Sequence, residues 1–247
     1  QDKDLLINNY FNKNIPCVVT GLTENWQTEN WTLEFFKDNF GDLKLNLERT
    51  NPTTNKVESK EMLMRDYIDY VISNDSQPED NPFYNNTDFN PPKELYKDYQ
   101  LPEYFSCMFN NLKEVDTMPT LSWIYLAPLN SITGLHTDIA NTSAWNLVIS
   151  GTKFWVFYPS DQAHLLRNGG VNPFNPDFDM FPSYKNAKPL VCVQKPGEIV
   201  VTPGGMWHAV LNMKTGVSLT ENFVNKYNLE TVQKYCVENN IALPELN

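Results

Sequence analysis

The chain has 247 residues, 41% of them hydrophobic and 13% aromatic, enough apolar material for one large core. Its formal net charge of −11 works against a phosphate-tracking surface or an anionic bilayer, and no apolar run approaches the length of a membrane span. A cationic partner, such as a Lys- or Arg-rich peptide, fits that charge, as does simple solubility.

In chain order, Pro16 to Leu22 (PCVVTGL) reads as a short strand closing on a Gly turn. Thr32 is placed to cap a helix with Leu33, Phe36 and Phe40 on one face and Gly41 as its stop. Ser59 is placed to cap a second helix, with Met64, Ile68, Val71 and Ile72 inward. Ser73 to Gln100 is polar and Pro-bearing and reads as a long irregular segment that contains Pro82-Phe83-Tyr84. The second half is strand-rich: Ser122–Ala127, Phe154–Tyr158, Glu198–Thr202 and Val217–Thr220 are β-prone and bounded by Pro or Gly. Strands without intervening helices point to a sandwich or barrel. Asn168 to Pro189 has no clear period and reads as a long loop near the barrel mouth. Asn228 opens a last helix with Leu229, Val232 and Cys236 on one stripe. With neither an internal repeat nor a linker, residues 1–247 read as a single domain: a mixed part over 1–120, a β core over 121–224 and a helical end over 225–247.

Cys17, Cys107, Cys192 and Cys236 are far apart and form no Cys-x-x-Cys pair. Reduced thiols in an intracellular protein, nuclear or cytoplasmic, are expected. The chain opens at Gln1 instead of Met, so a trimmed or processed start is expected, and the visible start has no signal-peptide pattern. The glycosylation-like triplets at Asn30, Asn85 and Asn141 carry little weight in an Asn-rich chain.

The chemistry starts from His136-Thr137-Asp138, answered far along the chain by His208 in Gly204-Gly205-Met206-Trp207-His208. In an extended strand residues i and i+2 point the same way, so an imidazole and a carboxylate are aimed at one point. A second imidazole on a distant strand completes two His and one carboxylate with open positions, the set that suits non-haem Fe(II). Taken alone, His-x-Asp also fits a hydrogen-bonded core histidine. Pro203 ends the preceding strand, and Gly204-Gly205 lets the backbone turn tightly before His208. Lys153 opens the Phe154–Tyr158 strand; it is either a solvated turn lysine or an inward cation in need of an anion. Asn146, between Trp145 and Leu147, requires a hydrogen-bond partner. Thr133 and Thr220 are either plain strand residues or further donors beside a metal. One cation and several neutral donors around a metal suit a dicarboxylate.

The blocks Thr133-Gly134-Leu135-His136-Thr137-Asp138, Asn141-Thr142-Ser143-Ala144-Trp145-Asn146, Gly151-Thr152-Lys153, Pro203 to Asn212 and Thr220-Glu221-Asn222-Phe223 resemble the Jumonji-C oxygenases. The likeness is closest to the lysyl hydroxylase branch once named the phosphatidylserine receptor. It is dense from Trp123 to Phe223 and looser upstream. The resemblance implies a mainly β fold, a double-stranded β-helix of the jelly-roll, cupin-like kind, flanked by N-terminal and C-terminal helices. It implies Fe(II) on His136, Asp138 and His208, and 2-oxoglutarate on Thr133, Asn146, Lys153 and Thr220, with Lys153 on the distal carboxylate. Tyr84 would add a hydroxyl to the cosubstrate, and Trp123 and Asn222 would line the pocket. The chain departs from the family in having Ile139-Ala140-Asn141 where Pro-Leu-Gly is usual, in a divergent loop from Asn172 to Lys188, and in lacking the basic segments of the animal proteins.

The implied activity consumes O₂ and 2-oxoglutarate and hydroxylates a protein side chain, lysine first of all. Hydroxylation beside nitrogen would instead remove an N-methyl group. The substrate is a protein or peptide, with Lys/Arg-rich segments preferred; a nucleic acid is disfavoured. Two other classes stay open at this point: a cupin-like binding module without turnover, and metal-assisted hydrolysis at Zn²⁺.

Overall fold

The computed structural model describes residues 3–51, 56–85, 89–108 and 121–241. Strands buried on both faces build much of the β core. Strands β1 (Cys17–Val19), β2 (Lys44–Thr50) and β3 (Val57–Leu63) lie in the first half. The core strands are β4 (Ser122–Ala127), β5 (Ile132–His136), β6 (Ser143–Val148), β7 (Thr152–Tyr158), β8 (Leu190–Gln194), β9 (Ile199–Thr202), β10 (Trp207–Lys214) and β11 (Gly216–Phe223). They form a five-stranded sheet, β1-β9-β6-β11-β4, and a four-stranded sheet, β5-β10-β7-β8, with every pairing antiparallel. This is the expected jelly-roll core with flanking helices.

Each sheet separates an apolar outer face from an inner face that carries the polar residues. On the five-stranded sheet Ile124, Leu126, Trp145, Leu147, Ile199, Val201, Val217 and Leu219 pack outward. The same cluster takes in Leu6 of α1 (Lys3–Asn9), Phe36 of α2 (Leu33–Phe40), and Tyr67, Ile68 and Val71 of α3 (Met64–Asn74). The residues alternating with that row, among them Tyr125, Asn146, Ser218, Thr220 and Asn222, belong to the opposite face. The outer face of the four-stranded sheet, with Leu135, Val156, Tyr158 and Ala209, is covered by Leu166, Val171 and Tyr184 of the long segment that precedes β8. Trp155, Phe157, Val200, Met206 and Val210 form an apolar cluster shared by the two sheets. Trp145 belongs to the outer core, with Trp26 6.2 Å and Tyr99 6.1 Å away between ring centroids.

Several expectations are met and two are corrected. Thr32 caps α2, its hydroxyl accepting from the Phe35 N–H at 3.0 Å. Helix α4 (Leu229–Glu238) buries Val232 and Cys236. Ser59 caps no helix: it sits inside β3 opposite Glu48, and α3 begins only at Met64. The β2–β3 hairpin is poor in β-formers on its exposed face, and Lys44–Glu61 (2.8 Å) and Arg49–Glu58 (2.8 Å) bridge its strands instead. Ile72 is 42% exposed, because the buried stripe of α3 runs through Met64, Tyr67, Ile68, Val71 and Asn74. Within the segment expected to be irregular, the 3₁₀ turn Lys93–Asp98 is the main regular piece. Among the described residues no helix is long and apolar enough to cross a membrane.

The free edge of β4 is closed by the segment that follows Tyr84. The Asn85 amide donates to the Ile124 carbonyl (2.9 Å) and accepts from the Leu126 N–H (2.9 Å), as a paired strand would. The Ile124 N–H reaches the Phe89 carbonyl at 2.8 Å, and Asn90 donates to the Ser122 carbonyl at 2.8 Å. This satisfies an edge that is otherwise open. The Asn85 side chain is wholly buried, so a glycan there is incompatible with the fold; Asn86 and Thr87 of that triplet lie outside the described residues. Asn85→Ala strands two buried backbone groups and is expected to cost about 3 kcal/mol. Urea unfolding checks this, and an unchanged midpoint would refute the edge-closing role.

Candidate metal centre and anion pocket

β5 and β10 are neighbours, and His136 is the direct Cα partner of His208 across them. The second strand, far along the chain, is the immediate neighbour in the sheet, and the imidazoles face each other, with ring centroids 4.2 Å apart. The expectation that His136 and Asp138 share a strand is corrected. β5 ends at His136, and Asp138 (φ −64, ψ 157) stands just beyond it, at the entry of the 3₁₀ turn Ile139–Asn141. Its backbone is still extended, so the side chains converge as the i, i+2 rule requires.

The donor set is ready for a cation. The Nδ1 of His136 lies 2.7 Å from the Gly134 carbonyl, and that of His208 lies 3.0 Å from the Met206 carbonyl. Each carbonyl takes the Nδ1 proton and leaves the Nε2 lone pair free, as ligating histidines require. The two Nε2 atoms stand 4.0 and 3.9 Å from Asp138 Oδ1. Donors each about 2.1 Å from one divalent ion are at most about 4.2 Å apart, and both distances fall below that limit. Asp138 Oδ2 is buried and has no hydrogen-bond partner, an orphaned anionic oxygen of the kind a cation would satisfy. Burial, with His136 close by, pushes the His208 imidazole down to about 4, so it stays neutral at physiological pH. Two imidazoles and one carboxylate suit Fe(II) and leave positions open for other ligands.

The turn that presents Asp138 is held from several sides. Asn141, at the position where the resembled family carries Gly, takes φ 54, which Asn tolerates. Ala140 takes φ 50, at a cost of roughly 1 kcal/mol. Gly204 packs so closely that an added Cβ would lie 2.5 Å from the Asn141 carbonyl. Gly205 takes φ 70. The glycine pair therefore presses the loop before His208 against the loop after Asp138. The Asn222 amide, expected in the pocket lining, donates to the Thr142 hydroxyl at 2.9 Å, which in turn donates to the Ile139 carbonyl at 2.8 Å. Asn222 thus braces the turn that follows Asp138.

The cation and the neutral donors form a second cluster beside the triad. Lys153 is 5% exposed, with no ion pair among the described residues, and desolvation pushes its ammonium down to about 7. It is an inward cation, not a solvated turn residue. Its Nζ stands 5.3 Å from the centre of the Tyr125 ring. Asn146 pairs directly with Thr220, amide to hydroxyl at 2.5 Å, while its own Oδ1 is buried without a partner. Exchanging the amide O and N keeps that contact and offers N–H donors to an anion. A bulge in the β5–β10 pairing shifts register between His208 and Val210, so Thr133, three residues from His136, pairs with the inward Val210. The buried Tyr84 hydroxyl lies within hydrogen-bonding reach of Asn212 and Thr133. Trp123 is half-buried on β4 directly opposite Thr220.

The sequence reading missed Tyr125 and Asn212. Both carried a legible signal: Tyr125 is two residues from Trp123 on one strand face, and Asn212 is four from His208. Lys153, Asn146, Thr220 and the tyrosines Tyr84 and Tyr125 gather cation and neutral donors beside the triad, with no anion paired to Lys153 among the described residues.

Two outcomes are expected. Lys153 is more acidic in the folded chain than in the unfolded one, so between about pH 7 and 10.5 the folded state binds fewer protons. Stability therefore falls as pH drops through that window and levels off below it. Lys153→Met is expected to stabilise the metal-free protein at neutral pH by up to about 4 kcal/mol, raising its melting temperature, and to abolish stabilisation by dicarboxylates. Thermal melts from pH 7 to 10 read both effects; a destabilised variant that still responds to dicarboxylates refutes this role. His208→Ala is expected to remove Fe(II) binding measured by anaerobic titration, and retained binding would exclude His208 as a ligand.

The comparisons with known proteins agree with this geometry. The chain is 31% identical over 229 residues to "Lysine-specific demethylase JMJ21" of Arabidopsis thaliana, covering 86% of this chain and 23% of that protein. It is 29% identical over 237 residues to "Bifunctional arginine demethylase and lysyl-hydroxylase psr-1" of Caenorhabditis elegans, covering 88% and 58%. It is 26% identical over 242 residues to "2-oxoglutarate and iron-dependent oxygenase JMJD4" of Mus musculus, covering 87% and 57%. The chain spans less than two thirds of each relative's length. The likeness to Jumonji-C proteins read from the motif blocks is borne out by these relatives. The model of the cupin-like domain matches residues 3–229, almost the whole chain, and the protein belongs to that family.

Proposed function

We propose that the protein is an Fe(II)- and 2-oxoglutarate-dependent dioxygenase that hydroxylates a protein side chain, with lysine as the favoured target. The observation that carries this reading is the pairing of two unmet charges in one barrel. Among the described residues Asp138 presents a buried carboxylate oxygen with no hydrogen-bond partner, and Lys153 presents a buried ammonium with no ion pair. A ligand that is metal-binding at one end and anionic at the other meets both, and an oxo-dicarboxylate is such a ligand. A purely structural metal would have no use for Lys153, and a hydrolytic zinc would have none for the second anion pocket.

Each residue then has a physical task. His136, His208 and Asp138 would hold the iron, with their backbone carbonyl partners fixing both imidazoles in the ligating tautomer. Lys153 would take the distal carboxylate, and Thr133, Asn146, Thr220 and Tyr84 would supply hydroxyl and amide donors. Trp155, Phe157, Val200, Met206 and Val210 fill the space between the sheets beside the triad and would keep water from that side of the site. When bound, iron and 2-oxoglutarate together supply the oxidising power that places one atom of O₂ on a C–H bond while the keto acid leaves as succinate and CO₂.

The names of the relatives include both lysyl-hydroxylase and demethylases. The two outcomes differ in which C–H the pocket presents, because hydroxylation beside nitrogen releases an N-methyl group as formaldehyde. A Lys- or Arg-rich peptide suits the net charge of −11.

Adding 2-oxoglutarate to the anaerobic Fe(II) protein is expected to produce a weak visible charge-transfer band, and O₂ should then yield succinate. A folded, iron-loaded sample without the band would refute chelation. Mass spectrometry of Lys- and Arg-rich peptides should show the gain of one oxygen, or the loss of a methyl if demethylation dominates. Succinate-independent activity with Zn²⁺ would point to hydrolysis instead.

A further inference from the structure

Tyr125 occupies a position that none of the assigned roles explains. It lies in the middle of β4, in register with Ser218, on the face it shares with Trp123. Its ring stands 5.3 Å from Lys153 Nζ. Its hydroxyl is within hydrogen-bonding reach of Thr220, and Asp138 is near enough for its charge to act on that hydroxyl. One rigid side chain therefore borders the ammonium, the hydroxyl donor and the carboxylate of the triad.

The ring cannot easily withdraw. Its strand neighbours Ile124 and Leu126 are wholly buried in the outer core, which fixes the backbone of β4. The Tyr84 ring stands 5.8 Å away at 38°, and Tyr84 is itself held near Thr133 and Asn212. A ligand that runs from the triad to Lys153 must lie along this backed wall. Tyr has only two side-chain torsions, so a wall made of it yields less than one made of a flexible chain.

We propose that Tyr125 sets the length and width of the keto-acid slot, holding the Lys153 ammonium against its ring face so that a five-carbon oxo-dicarboxylate fits and a longer one does not. This rests on the functional reading above. In the absence of the acid the π-face partly compensates the buried cation. With the acid bound, the ring limits where the distal carboxylate can sit, because the ammonium stays against it. Each additional methylene would have to be accommodated against a surface that the outer core holds in place.

The test compares binding of 2-oxoglutarate and the one-carbon-longer 2-oxoadipate to the anaerobic Fe(II) protein, by calorimetry and thermal shift, for the unaltered chain, Tyr125→Phe and Tyr125→Val. The unaltered protein is expected to prefer the shorter acid. Tyr125→Phe keeps the wall and should retain the preference, whereas Tyr125→Val should reduce it at least tenfold. Tyr125→Leu replaces the valine variant if that one fails to fold. An unchanged preference in the valine or leucine variant overturns the proposal, as does equal binding of the two acids by the unaltered protein. An equal loss of both acids in Tyr125→Phe and Tyr125→Val marks a merely structural residue and overturns it too. Absence of binding of either acid to the unaltered, iron-loaded protein instead overturns the functional reading itself.

Discussion

The pairing of His136 with His208 across β5 and β10 is the constraint on which the site depends. Two imidazoles on directly opposed residues of adjacent antiparallel strands meet at a distance the backbone sets, without loops or long side chains to adjust it. Backbone carbonyls of Gly134 and Met206 then orient both rings. Only the carboxylate comes from irregular chain, and that turn is pinned by the close approach of Gly204 and by the Asn222–Thr142 contact. The site is therefore preorganised: the two oriented imidazoles and the orphaned carboxylate oxygen are in place before any ion arrives.

The same barrel carries a cost. Asp138 Oδ2 and Asn146 Oδ1 are buried without a hydrogen-bond partner, and the desolvated Lys153 ammonium has no ion pair among the described residues. Buried polar groups without partners destabilise a fold, and a chain retains them where a ligand makes use of them. What offsets the cost is the thick apolar layer outside the five-stranded sheet. There α2 and α3 bury Phe36, Tyr67, Ile68 and Val71 against the strands. These helices hold the wall strand β4 from outside, and Asn85, just after Tyr84, closes its edge.

Much of the site was legible in the chain because ligand chemistry demands specific residue types. A chain with three histidines that places two of them near an i+2 carboxylate and a Gly-Gly turn offers few alternatives. Strands with strong β-formers, such as Phe154–Tyr158, were equally readable, as was the Thr32 cap. The β2–β3 hairpin was not, because its register comes from Lys–Glu and Arg–Glu pairs between strands, which leave no apolar period in VESKEML. The Thr133–His136 spacing also defied the simple period of two; a bulge reconciles it.

Residue identity by itself singled out the ligand set and the β-rich class, since these follow from which side chains can bind a metal or favour extended backbone; it left Lys153 open between a solvated turn and an inward cation, and the fold decided for the second. Tertiary structure alone decided that β5 and β10 are neighbours, that Asn222 braces a turn, and that Tyr125 stands between Lys153 and Thr220. Those are relations between segments far apart in the chain, and they come from sheet order and register, which local preference does not encode.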